Sequence, residues 1–161
     1  AIQDTEAFVA ANDESIMVVF RGTQEMTDWA TNLNAMTRRV PADWGLVGEG
    51  CDVHEDGMHA TIKKLYEEEG KSRKLFLAGH SLGAALATVA SARLAFVDDM
   101  HIAGLYTIGS PRYCSLTERR MNHGTLLKDK HFRCRNNNDL VPRMMPPPYC
   151  HVGTEIYIDR L

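Results

Sequence analysis

A serine with glycine two residues before it and two after stands in Gly79-His80-Ser81-Leu82-Gly83, near the middle of this chain of 161 residues. Its flanks suit nucleophilic chemistry. Leu75-Phe76-Leu77-Ala78 is a short apolar run that reads as a strand buried on both faces. Residues 84–96 are rich in alanine and leucine and read as a helix. A serine on a tight strand-to-helix turn is held in strained backbone geometry with its hydroxyl exposed. The glycines leave room for the bend and for close strand–helix approach, and the helix N-terminus brings free N–H groups and a positive dipole end. The spacing therefore predicts a nucleophile elbow at Ser81.

A serine hydroxyl needs a histidine base, and the base needs an orienting carboxylate. Behind elbows of this kind the chain order is serine, acid, histidine. The best downstream acid is Asp139, placed after the strand-like Phe132-Arg133-Cys134-Arg135 and the turn-forming Asn136-Asn137-Asn138. The local pattern fits two roles equally, a catalytic acid and an aspartate that only shapes its turn. Of seven histidines, His151 alone follows Asp139, twelve positions on and just before the alternating Thr154-Glu155-Ile156-Tyr157-Ile158. It reads either as the base or as a residue hydrogen-bonded locally at a strand start.

Four blocks, in order along nearly the whole chain, resemble the class 3 lipases, which include fungal triacylglycerol lipases, feruloyl esterases and plant acyl-lipid hydrolases. They are Val18-Val19-Phe20-Arg21-Gly22-Thr23 with Asp28-Trp29; the elbow pentapeptide; Tyr106-Thr107-Ile108-Gly109-Ser110-Pro111-Arg112; and Asn138-Asp139-Leu140-Val141-Pro142-Arg143 with the segment from His151 to Ile158. The resemblance implies that Ser81 is the nucleophile and Asp139 the acid. It implies an oxyanion hole made by the backbone N–H groups of Thr23 and Leu82, donors aimed at the charge of a tetrahedral intermediate. Thr23 also suits the N-cap of a short helix after it. In the family the histidine at the place of His151 is not catalytic, and the base lies some tens of residues further on. The expectation is thus a base beyond Leu161 and a domain incomplete at its C-terminus; the start at Ala1, without methionine, points the same way. Two departures are small: His54-Glu55-Asp56-Gly57-Met58 is one residue longer than the family's pattern, and Ala84 stands where glycine is frequent.

The elements that must position these residues alternate. Residues 6–11 and 15–21 read as an antiparallel hairpin over Asn12-Asp13. A short helix is expected at 26–33 and an amphipathic one including 61–69. Then follow strand 74–78, helix 82–96, strand 103–108, a polar helix near 115–123, and strands 131–135 and 154–159. The class is α/β: one α/β-hydrolase domain over residues 1–161, with a mostly parallel central sheet, helices on both faces and an antiparallel hairpin at the N-terminal edge. Trp29 and Met144, with their neighbours, are expected to line an acyl pocket at the C-terminal edge of the sheet.

Composition narrows the remaining classes. With 44% hydrophobic residues there is chain enough for a single core. The net charge of −3 is scattered and forms no basic patch, so nucleic acid is not an expected partner. No apolar run approaches the length of a membrane span. The expected partner is an acyl-ester lipid, met through transient contact with a lipid interface. Neither metal nor cofactor is expected, because the cysteines and histidines have no zinc-like spacing. Cys51, Cys114, Cys134 and Cys150 permit three disulfide pairings, and four buried thiols fit as well. Two functions follow: an ester hydrolase working through an acyl-serine, and a lipase-like domain without catalysis that binds an acyl ligand or a partner.

Overall fold

The computed structural model of the protein describes residues 7–22, 57–70, 72–114, 127–145 and 147–159. Strands β1 (Ala7–Ala11) and β2 (Ser15–Phe20) pair antiparallel, Ala11 opposite Ile16. Their turn is built as the sequence predicts. Asn12 Oδ1 accepts from the backbone N–H of Glu14 at 2.9 Å and of Ser15 at 2.8 Å, so its side chain replaces backbone acceptors in the bend. Helix α1 (Met58–Tyr66), β3 (Lys74–His80), α2 (Leu82–Phe96), β4 (Ile102–Ile108), β5 (His131–Asn136), a 3-10 turn (Val141–Arg143) and β6 (Thr154–Ile158) follow.

The six strands lie in sequence order, β1 to β6. Every pairing from β2 to β6 is parallel, so the hairpin supplies an antiparallel edge to a parallel sheet. This is the architecture expected from the alternation of elements. The helices expected at 26–33 and 115–123 lie outside the described residues.

Alternation along the strands decides the core. Ile16, Val18 and Phe20 of β2, Leu75 and Leu77 of β3, and Ile102 and Leu105 of β4 are buried in one cluster with Ile62 of α1 and Ala87, Ala90 and Leu94 of α2. The small residues of α2 let its axis lie close to the strands. The expectation that β3 is buried on both faces needs correcting: Leu75 and Leu77 are fully buried, whereas Phe76 and Ala78 are half-buried. An apolar run states the character of both faces but not what covers them. Met17, Tyr106 and Ile108, on the face away from α2, are exposed.

Helix α1 starts three residues before position 61 and stops at Tyr66, before the acids Glu67-Glu68-Glu69. Carboxylates at a helix C-terminus meet the negative end of the dipole, which favours the stop. Arg73 then ties the chain back, donating to Leu65 O at 2.8 Å, Glu68 Oε2 at 2.6 Å and Asn12 O at 2.6 Å.

Leu77 is 0% exposed and Phe8 is 59% exposed. Leu77→Ala should cost about 2–5 kcal/mol in urea unfolding through the cavity it leaves. Phe8→Ala should cost about 1 kcal/mol or less, since little of that ring is removed from water. Equal losses would contradict the assignment of faces.

Candidate active site

Ser81 lies between the last residue of β3 and the first of α2, with φ 55° and ψ −122°. A positive φ with that ψ is costly for a residue with a Cβ and persists only where its surroundings impose it. Three contacts impose it here. The Ser81 N–H donates to Ile108 O at 3.0 Å, and the Ala84 N–H donates to Ser81 O at 3.0 Å. The third is close packing of glycines. A Cβ on Gly79 would strike the carbonyl of Gly83, and a Cβ on Gly83 would strike the carbonyl of Phe20. Ser81 is the N-cap of α2, yet its hydroxyl makes no capping hydrogen bond. The oxygen is not spent on holding the helix.

The end of β2 is drawn to the same place. A Cβ on Gly22 would lie 2.7 Å from His80 O and 3.2 Å from Ser81 Cβ. The backbone of Gly22 thus runs against the elbow. The first N–H groups of α2, that of Leu82 among them, have no acceptor within the helix. Leu82 itself is buried. Thr23 and Trp29 lie outside the described residues.

Asp139 sits in the turn after β5, half-buried. Its N–H donates to Asn136 O at 3.1 Å, and its Oδ1 accepts from the Val141 N–H at 2.9 Å. Its Oδ2 faces the loop after β4: a Cβ on Gly109 would lie 2.6 Å from it, and 3.7 Å from His80 Nε2. The two sequence readings of Asp139 are therefore compatible. One oxygen builds the turn while the other lies at the C-terminal edge of the sheet. The adjacency of Asp139, Gly109 and His80 was not legible beforehand, because it depends on the parallel pairing of β3, β4 and β5.

The loop after Asp139 packs on the elbow helix. Met144, Met145 and Val141, with Tyr113, cover Leu82 and Ala85. Met144, expected in an acyl pocket, thus contributes at least to this small core beside Ser81. A cavity beside the elbow lies elsewhere. A space of about 840 Å³ is bounded by Phe8, Val19, Ala78, His80, Tyr106 and Ile108, outward positions of β1 to β4, and by Gly22 just past β2. None of these was singled out for a pocket, although outward apolar residues on strands are the signal. Among the described residues no cluster of His, Cys, Asp and Glu is arranged to hold a metal ion.

His151 is occupied locally. Its Nε2 donates to Pro142 O at 2.7 Å. Burial, then the charge of Arg133, hold its pKa down at about 4, against the raising effect of the Pro142 hydrogen bond. Such an imidazole is a poor general base at neutral pH. The other described histidines also have partners or places of their own. His59 pairs with Asp98, His101 with Lys130 and His131 with Thr107, while His80 leaves the strand one residue before Ser81.

The sign of the His151 effect follows from its lowered pKa. Below pH 6.5 the unfolded chain takes up a proton that the folded protein refuses down to about pH 4. His151 therefore withdraws stability as pH falls through that window, and adds no further loss below it. Its ring protons should titrate near pH 4 by NMR. His151→Gln should flatten the decline of the urea midpoint between pH 6.5 and 4. An unchanged decline would remove His151 as its source.

A family model described as Lipase (class 3) matches residues 17–149. A secreted mono- and diacylglycerol lipase of Fusarium solani is 32% identical, over 95% of this chain and 47% of the relative. A phospholipase A1-II of Oryza sativa subsp. indica is 27% identical, over 99% of this chain and 48% of the relative. A solved triacylglycerol lipase, described as having a serine protease triad as its catalytic centre, superposes with TM-score 0.74 at 26% identity, covering 98% of this chain and 63% of that one. The chain thus spans about half the length of the curated relatives it matches. The fold is that of these lipases, and the match runs from β2 through the acid loop. The chain belongs to the class 3 lipase family.

Proposed function

We propose that the protein is a serine carboxylic ester hydrolase that cleaves acyl esters of lipids through an acyl-serine intermediate. The observation that carries this reading is the backbone of Ser81, φ 55° and ψ −122°, on a strand-to-helix turn with its hydroxyl unspent. In the proposed reaction Ser81 Oγ attacks the acyl carbonyl as a histidine takes its proton. The amides of Leu82 and Thr23 stabilise the oxyanion, the alcohol leaves with the proton, and water then releases the acid from Ser81. Asp139, through Oδ2, orients the histidine. The packing of Val141 and Met144 on Leu82 supports that assignment, since it fixes the acid loop to the elbow.

None of the described histidines suits the base. The reading calls for a histidine from the portion of the fold that the curated relatives have and these residues do not cover. The substrate class rests on the relatives, whose names specify mono- and diacylglycerols or a phospholipid. Contact with a lipid surface would be transient, and among the described residues no helix is long and apolar enough to cross a membrane.

Turnover of p-nitrophenyl acyl esters tests the reading. Ser81→Ala should lower kcat on the order of a million-fold with an unchanged unfolding midpoint. Asp139→Asn should lower kcat by about 10⁴-fold, because the histidine loses its tautomer and orientation. His151→Ala should change kcat by less than about tenfold while lowering stability by about 1 kcal/mol through the lost Pro142 hydrogen bond. Full activity in the Ser81 variant would remove Ser81 as the nucleophile, and absence of turnover in the unaltered full-length protein would leave a lipase-like binding domain.

A further inference from the structure

The loop after β4 and the loop before β6 run side by side, and two cysteines face each other where they meet. Cys114 and Cys150 form an isolated antiparallel bridge. The Cys150 N–H donates to Cys114 O at 2.8 Å, and the Cys114 N–H donates to Cys150 O at 3.4 Å. The Cys150 thiol itself points at its partner's backbone, with Sγ 3.1 Å from Cys114 O. Residues exchanging both hydrogen bonds across an antiparallel pair have Cα atoms about 5.5 Å apart. Disulfides span Cα separations of about 4.4–6.8 Å, most often near 5.5–6 Å. Cys134 is placed differently: it lies inside the sheet, paired in register with Ile108 and Ile156.

We propose that Cys114 and Cys150 are the site of a disulfide that fixes the loop carrying Asp139. Three contacts join the same two loops. Asp139 Oδ2 lies against Gly109, Arg112 Nη1 donates to Met145 O at 3.2 Å, and Cys150 meets Cys114. A covalent bond at the far end of this series closes the acid loop at both of its ends, β5 already holding the near one. Of the partners that the sequence leaves open to Cys150, the geometry selects Cys114.

The chemistry is exchange with a small-molecule disulfide such as oxidised glutathione. Cys150 is half-buried and Cys114 buried, so Cys150 is the point of entry. Its thiolate attacks the small disulfide, forming a mixed disulfide and expelling one small thiolate. The Cys114 thiolate then attacks the Cys150 sulfur, forming the protein disulfide and expelling the second. The two cysteine protons end on the two small thiols, and the small disulfide is the species reduced. The bridge does not depend on Asp139 being a catalytic acid.

The test is to equilibrate the protein with oxidised glutathione, alkylate the remaining thiols, digest without reduction and map linked peptides by mass spectrometry. The expected product is a Cys114 peptide joined to a Cys150 peptide, with the intact mass lower by two hydrogens than that of the reduced protein. Reduction with dithiothreitol should lower Tm by about 5–10 °C, because the closed loop is long. Cys150→Ser should have the Tm of the reduced protein in either buffer, and Cys134→Ser should keep both the link and the shift. Alkylation of both Cys114 and Cys150 after oxidation, or a link from either to Cys51 or Cys134, would overturn the proposal. The peptide map of the unaltered protein separates these outcomes even where a serine variant folds poorly.

Discussion

The first turn of α2 lies against the end of β2 so closely that no side chain fits between them. Gly83 meets the Phe20 carbonyl, and Gly79 meets Gly83. The geometry around Ser81 depends on that approach. It sets where α2 begins relative to the sheet, and so where the Leu82 amide points. It holds Ser81 in a backbone conformation that residues with a Cβ otherwise avoid. It brings Gly22, two residues after Phe20, beside Ser81. A methyl group at Gly83 would push the helix from the strand and move Ser81 with it.

The acid loop is positioned by different means. It rests on packing, with Val141, Met144 and Met145 over Leu82 and Ala85, and on the turn that Asp139 makes with its own Oδ1. Strand β6 beyond it has no buried residue, yet it is aligned by its ladder to β5 and by the buried Arg133, which donates to Glu155 Oε2 at 2.6 Å. A charge-assisted hydrogen bond of that geometry is among the stronger polar contacts available to a strand edge. The same Arg133 depresses the pKa of His151. One side chain thus holds the last strand and adds to burial in lowering the pKa of His151.

What was legible in the sequence was what short-range pattern encodes. Glycines about Ser81, an apolar run before it and an alanine-rich run after it specify strand, turn and helix. Asn12-Asp13 specified the hairpin, and the alternation of elements specified a parallel sheet with an antiparallel edge. What was not legible depends on residues brought together across strands. Asp139 meets Gly109 only because β4 and β5 pair in parallel. His151 loses its basicity first to burial and then to the charge of Arg133, neither of which its local sequence states. The partner of Cys150 could not be chosen among the three other cysteines until the two loops were seen side by side. Burial of Phe76 and Ala78 was overestimated because an apolar run does not report what lies above it.

The central claim is that the elbow presents the Ser81 hydroxyl to an acyl carbon while the Leu82 amide receives the developing negative charge. The direct measurement is a crystal structure of the protein inactivated by an alkyl fluorophosphonate, whose adduct has the shape and charge of the tetrahedral intermediate. The account predicts phosphorus bonded to Ser81 Oγ, with the phosphonyl oxygen about 2.7–3.1 Å from the Leu82 nitrogen. An adduct on another serine, or a phosphonyl oxygen turned away from the start of α2, would contradict it.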